Sequence, residues 1–114
     1  MKVYFTASAR GTKQYGAYYQ TIFDTIKNLG HTHIDNYKQT SNPDELVNSG
    51  HDDQVRLYKD AVQFIQNSDL VVLEVSVHSL TMGYLMRSAL DRNKPVIALY
   101  YKGSSNLWNA SKNM

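Results

Sequence analysis

Cysteine is absent from this sequence of 114 residues, which rules out a disulfide framework, a thiolate nucleophile and a cysteine zinc site. Also missing is any apolar run near the ~20 residues that a membrane-spanning helix requires. Neither sign of charge dominates. Twelve Lys and Arg face ten Asp and Glu, a formal net charge of +2, so nucleic acid is not the expected partner. There is no Gly-rich Walker loop, no serine nucleophile elbow and no full dinucleotide fingerprint. His31-x-His33 would place two imidazoles on one strand face, and His51 and His78 stand elsewhere. No carboxylate sits at ligand spacing from them, so neither a metal nor a cofactor is expected.

What is present suits a globular chain: 42% hydrophobic and 19% charged residues. The length predicts one domain spanning 1–114, with 102–114 as a loop or tail. Met1-Lys2-Val3-Tyr4-Phe5 enters a strand-like run directly, so no leader and a cytoplasmic location are expected.

Helical and extended periods alternate along the chain. Val3 to Ala7 is a short apolar run that meets a turn at Ser8-Ala9-Arg10-Gly11. Tyr15, Tyr19, Ile22, Ile26 and Leu29 then recur every three or four residues, one face of a helix that Gly30 would stop. His31 to Ile34 is a short second strand. Asn42-Pro43-Asp44-Glu45 reads as a capped helix start, and Gly50 as a break. A longer helix follows from about Asp52 to Asn67, with Val55, Tyr58, Val62 and Ile65 on its apolar side. Leu70 to Val75 is continuously apolar but for Glu74, which predicts burial on both faces and hence a parallel sheet. Ser79 caps a helix over Leu80 to Asp91, and Pro95 to Tyr100 forms a fourth strand. The order β-α-β-α-β-α-β predicts a doubly wound, Rossmann-like or flavodoxin-like α/β domain with at least four parallel strands.

In such sheets ligands bind beyond the carboxyl ends of the strands, where the winding reverses. A 2-1-3-4 strand order places Ser8-Ala9-Arg10-Gly11-Thr12 beside Glu74-Val75-Ser76-Val77-His78-Ser79. Backbone N–H groups and a helix dipole there favour an anion, and Arg10 adds a planar donor suited to phosphate. The alternative is that Ser8 and Thr12 cap a helix while Arg10 is a solvated charge. Tyr15, Tyr18 and Tyr19 cluster on the first helix, and Tyr84, Tyr100 and Tyr101 lie towards the same pocket side. They either stack on a base or fill the rim of the core.

At these residues the chain resembles the nucleoside 2-deoxyribosyltransferase superfamily, nearest its 2'-deoxynucleoside 5'-monophosphate N-glycosidase branch. Val3 to Gly11 is similar to that branch's first strand and its loop Gly-Ser-Ile-Arg-Gly. Asp69 to Ser76 resembles its acid, apolar strand and Glu-Val-Ser/Thr. Ser79-Leu80-Thr81-Met82-Gly83-Tyr84 resembles Ser-Leu-Gly-x-Gly-Tyr, and Ala89-Leu90 through Ile97 its next helix end and strand. The resemblance covers nearly the whole chain. It implies a nucleotide or nucleoside as small-molecule partner and a homodimer whose second subunit completes the pocket. It also implies candidate ligand residues Ser8, Ala9, Arg10, Gly11, Ser76, Ser79 and Gly83.

Two departures bear on chemistry. The resemblance puts a carboxylate nucleophile in Gly-Tyr-Glu, because C1' of the sugar becomes oxocarbenium-like and a nearby anion stabilises or captures it. Here the motif reads Gly83-Tyr84-Leu85. A second acid is expected eight residues before Asp69, where Ala61 stands; the adjacent Asp60 would point about 100° around the helix. Glu74 is the candidate catalytic acid that remains, with a pocket-lining or structural role as its alternative. Three functions stay open on the sequence: an N-glycosidase or deoxyribosyltransferase with rearranged acids, a nucleotide-binding or sensing module without catalysis, and an interaction domain without ligand.

Overall fold

The computed structural model describes residues 1–34, 51–77 and 79–102, with side chains in the second segment from residue 58. The expected helix start at Asn42-Pro43, the break at Gly50, the His51 side chain, His78 and the tail beyond Lys102 lie outside the described residues.

Strand β1 (Lys2–Ala7) runs through a 3-10 turn (Ala9–Gly11) into helix α1 (Thr12–Asn28). Tyr15, Tyr19, Ile22 and Ile26 are buried at helical spacing, as the periodicity predicts. Leu29 is not: it is 69% exposed, because it falls on the residue that closes the helix rather than on its apolar face. Gly30 follows at φ +90°, its N–H donating to the Lys27 carbonyl while His31 N–H donates to that of Ile26. That pair of bonds is a Schellman ending, and the left-handed φ is why glycine suits the position.

Strand β2 is shorter than His31–Ile34. Among the described residues Thr32–His33 pair with Lys2 and Val3 of β1, and Ile34 N–H still donates to the Val3 carbonyl. Helix α2 (His51–Asn67) leads to β3 (Leu70–Glu74), α3 (Leu80–Asp91) and β4 (Val96–Leu99). Pro95 and Tyr100 flank β4 rather than pair within it, although the Pro95 carbonyl still accepts from Val71 N–H. Helix α3 ends on a second Schellman pair, with Asn93 at φ 57°, a conformation asparagine tolerates better than most residues.

The four strands are parallel in the order β2-β1-β3-β4, so the winding reverses between β1 and β3. Helix α1 covers one face, packing Tyr15, Tyr19, Ile22 and Ile26 on Val3, Phe5 and Val72. Helices α2 and α3 cover the other, where Ala61, Ile65, Met82, Leu85 and Ala89 meet Tyr4, Val71 and Leu73. Burial of Val71 to Glu74 from both sides is what the continuous apolar run demands.

Candidate functional site

Register decides which residues meet at the strand tips. Ala7 pairs with Glu74, and Glu74 with Leu99, so the chain leaves β1, β3 and β4 at one level. The loop after β1 closes on a Gly11 N–H to Ser8 carbonyl bond of 3.1 Å. Ser8 is buried but its side chain makes no capping bond, which removes the capping role the sequence allowed it. Ala9 is half-buried and Arg10 exposed. Gly11 is buried against the neighbouring loop: a Cβ there would collide with Tyr19 Oη and stand 2.8 Å from Val77 Cγ2. The loops after β1 and β3 are therefore in contact, and glycine at residue 11 lets them close.

The tip of β3 carries a polar network. Glu74 is fully buried, and both of its carboxylate oxygens are engaged. Ser76 N–H donates to Oε1 at 2.5 Å and Ser76 O–H to Oε2 at 3.0 Å. The same hydroxyl accepts the Tyr101 backbone N–H at 2.6 Å. Burial raises the Glu74 pKa above the ordinary carboxylate value, and the two bonds from Ser76 oppose that rise. Two residues on from Val72, Glu74 points to the α1 face. Tyr18 of α1 has its own pKa raised, by burial first and then by the charges of Glu74 and Tyr101.

Aromatic rings close this corner. Tyr101 packs on Tyr15 with ring centroids 5.7 Å apart and edge-on to Tyr18 at 5.3 Å. The sequence placed these tyrosines near one another without saying which would touch. The signal was the β3–β4 register, since a residue two beyond Leu99 stands level with Ser76.

Ser79 caps α3 as expected, its hydroxyl accepting from Met82 N–H at 3.4 Å. Gly83 lies exposed on the outer side of the first turn, where an added Cβ would meet nothing within 4 Å. No close approach calls for glycine there. Ser8, Gly11, Glu74 and Ser76 thus gather at the tips, Arg10 and Ser79 border them, and Gly83 faces away into open space.

The two positions at which the resemblance expects acids lie in one cluster on the opposite face. Ala61 and Leu85 belong to one apolar cluster with Tyr4, Ile65, Val71, Leu73, Met82 and Ala89, and Leu85 is 2% exposed. Asp60 points outward and is exposed, as one step around the helix requires. Asp69 accepts the Lys2 N–H at 2.8 Å at the far end of the sheet. Among the described residues Glu74 is the one carboxylate at the strand tips, and no three side chains form a metal-ligating group. None of the described helices is long and apolar enough to cross a membrane.

No family model matches the chain. Individual proteins do. A protein of Syntrophotalea carbinolica, named as a 2'-deoxynucleoside 5'-phosphate N-hydrolase, is 30% identical over 110 residues, covering 96% of this chain and 75% of its own. The 5-hydroxymethyl-dUMP N-hydrolase of Danio rerio is 29% identical over 110 residues, covering 96% of this chain and 76% of its own. Among solved structures, a CMP N-glycosidase of Clostridium botulinum superposes with a TM-score of 0.61 at 15% identity, covering 99% of this chain and 82% of that one. The last likeness is one of fold, and the first two are of lineage. The chain belongs to the 2'-deoxynucleoside 5'-phosphate N-hydrolase family of the nucleoside 2-deoxyribosyltransferase superfamily.

Proposed function

We propose that this protein binds a nucleoside 5'-monophosphate at the carboxyl ends of β1 and β3 and leaves its glycosidic bond intact. One observation carries the reading: Ala61 and Leu85, at the positions where the family pattern has its acids, are apolar and packed in one buried cluster. An oxocarbenium-like centre needs an anion beside it, and a methyl or isobutyl group supplies none. Glu74 does not replace it. Its carboxylate is buried on the other face of the sheet with both oxygens bonded to Ser76, which suits a group that shapes the tip.

The phosphate end of the reading rests on Arg10, exposed in the loop that closes onto α1, with Ser79 on the neighbouring loop. Arg10→Ala removes a charge-assisted hydrogen bond of ~1.5–3 kcal/mol, so affinity for a nucleoside monophosphate falls about 10- to 150-fold. Affinity for the matching nucleoside stays level, and Arg10→Lys recovers only part of the loss because lysine lacks the planar fork. Calorimetry measures both ligands, and chromatography of the same mixtures reads free base. Equal losses for nucleoside and nucleotide would make Arg10 structural. Release of base at ordinary enzyme rates, abolished by Glu74→Gln, would restore catalysis to this chain and give it to Glu74.

A further inference from the structure

Tyr101 is an exposed aromatic residue whose backbone is held in place. Its N–H is anchored on Ser76 Oγ at 2.6 Å, and Ser76 is in turn bonded to buried Glu74. Its ring rests on Tyr15 and Tyr18, two residues in the first two turns of α1. Even so, half of the residue is exposed. A large ring fixed on one side and bare on the other is already ordered, so a planar partner can cover it without the entropy loss of immobilising a free side chain. The position adds a second constraint. Tyr101 is anchored to the loop after β3, which touches Gly11 of the loop after β1 through Val77. Its supporting rings rise from α1, the helix that leaves the Arg10 loop.

We propose that Tyr101, backed by Tyr15 and Tyr18, is the stacking wall for the base of the bound nucleotide. The inference rests on the phosphate reading above and extends it from the phosphate to the base. Recognition through a π-face gives affinity with little discrimination among bases, because every base has such a face. Glu74 and Ser76 act here as positioning residues that hold the wall in place.

The test compares dAMP with 2-deoxyribose 5-phosphate, which carries the same phosphate and sugar but no base. On the wild-type protein dAMP binds more tightly, and the ratio of the two dissociation constants reads the base contact alone. Tyr101→Leu keeps an apolar side chain over Tyr15 and Tyr18 but removes the ring. It is expected to shrink that ratio by about 5- to 150-fold while the sugar phosphate binds as before. Tyr101→Phe keeps the ratio, because the hydroxyl takes no part in stacking. Tyrosine absorbance perturbed by dAMP in the wild type, and much less so in Tyr101→Leu, gives a second readout. An unchanged ratio in Tyr101→Leu, or equal weakening of both ligands, overturns the stacking wall and leaves the phosphate site standing. Failure of the wild-type protein to bind either ligand overturns the phosphate site and the wall with it.

Discussion

The two faces of this sheet are made of the same strands and end at the same tips, yet they are finished differently. Under α1 the last buried residue of β3 is an acid, Glu74, tied by Ser76 to the chain leaving β4. Under α2 and α3 the cluster stays apolar, and Leu85 and Ala61 stand where the family pattern carries acids. The contrast is one of partners. A buried carboxylate is tolerable where donors satisfy both oxygens, and costly where only methyl groups surround it. The apolar face supplies core packing and the polar face supplies loop geometry. That division agrees with the reading proposed above, a ligand site kept without the charged centre of glycosidic cleavage.

Leu85→Glu tests this contrast with the largest expected effect. Apart from the Tyr4 hydroxyl, the cluster of Tyr4, Ala61, Ile65, Val71, Leu73, Met82 and Ala89 meets a new carboxylate with apolar side chains. Burial of that kind raises a carboxyl by ~3–5 pKa units, about 4–7 kcal/mol once the group is ionised. The folded pKa then lies above the unfolded one. Stability is kept below about pH 4.3 and lost as pH rises towards the folded value. Urea unfolding at pH 5 and pH 8 is expected to show a variant that folds at the first and is mostly unfolded at the second. Wild-type stability at pH 8 would mean that solvent reaches Leu85 from the tip, and with it a ligand's sugar.

The sequence reports burial better than it reports meeting. The Leu70–Val75 run, apolar but for Glu74, announces a strand buried on both sides, and the spacing of Tyr15, Tyr19, Ile22 and Ile26 announces the α1 face, because both depend on local periodicity. The strand order follows from the alternation of elements together with the two polar loops. Leu29 misleads, since periodicity does not reveal that the helix closes on that residue. The Glu74–Ser76–Tyr101 chain was not legible. It joins residues 27 positions apart through the register of β3 on β4, and register follows from packing rather than from any local pattern. Ala61 and Leu85 were legible as departures from a motif, but their shared cluster required the fold.

Contact between the two loops is the next point at which the polar face can be broken. Gly11→Ala puts a methyl group against Tyr19 Oη and Val77 Cγ2, and Tyr19 is fully buried, so neither side gives way freely. Overpacking of this kind costs ~1–3 kcal/mol. Gly16→Ala, five residues along and inside α1, meets only Thr12 Cγ2 at 3.6 Å. It is expected to stabilise by ~0.5–1 kcal/mol through helix propensity. Opposite signs from the same substitution, read as urea midpoints, would separate closeness of the loops from helix preference. Two stabilising results would mean the loops stand apart in solution.

Glu74→Gln gives the smallest effect, and its sign depends on pH. Glutamine keeps an oxygen to accept the Ser76 N–H, but its amide donates to the Ser76 hydroxyl, which then loses its own acceptor while still holding the Tyr101 N–H. Against the protonated wild-type carboxyl, which carries one donor, the amide carries two, and the extra buried N–H costs about 1 kcal/mol at acid pH. Burial sets the Glu74 pKa above its ordinary value, so the folded protein holds this proton more tightly than the unfolded chain does. The stability Glu74 contributes is therefore complete below the unfolded pKa and declines as pH rises through the folded one. Glutamine does not titrate. The variant's deficit is expected to be largest near pH 4 and to narrow towards pH 8, measured as a series of urea midpoints. Removing the charge also lowers the pKa of Tyr18, since that charge is one of the causes that raise it, and ultraviolet titration of the tyrosines reads this independently. A deficit that instead widens with pH would mean that the tip favours the ionised carboxylate, and that its donors outweigh its burial.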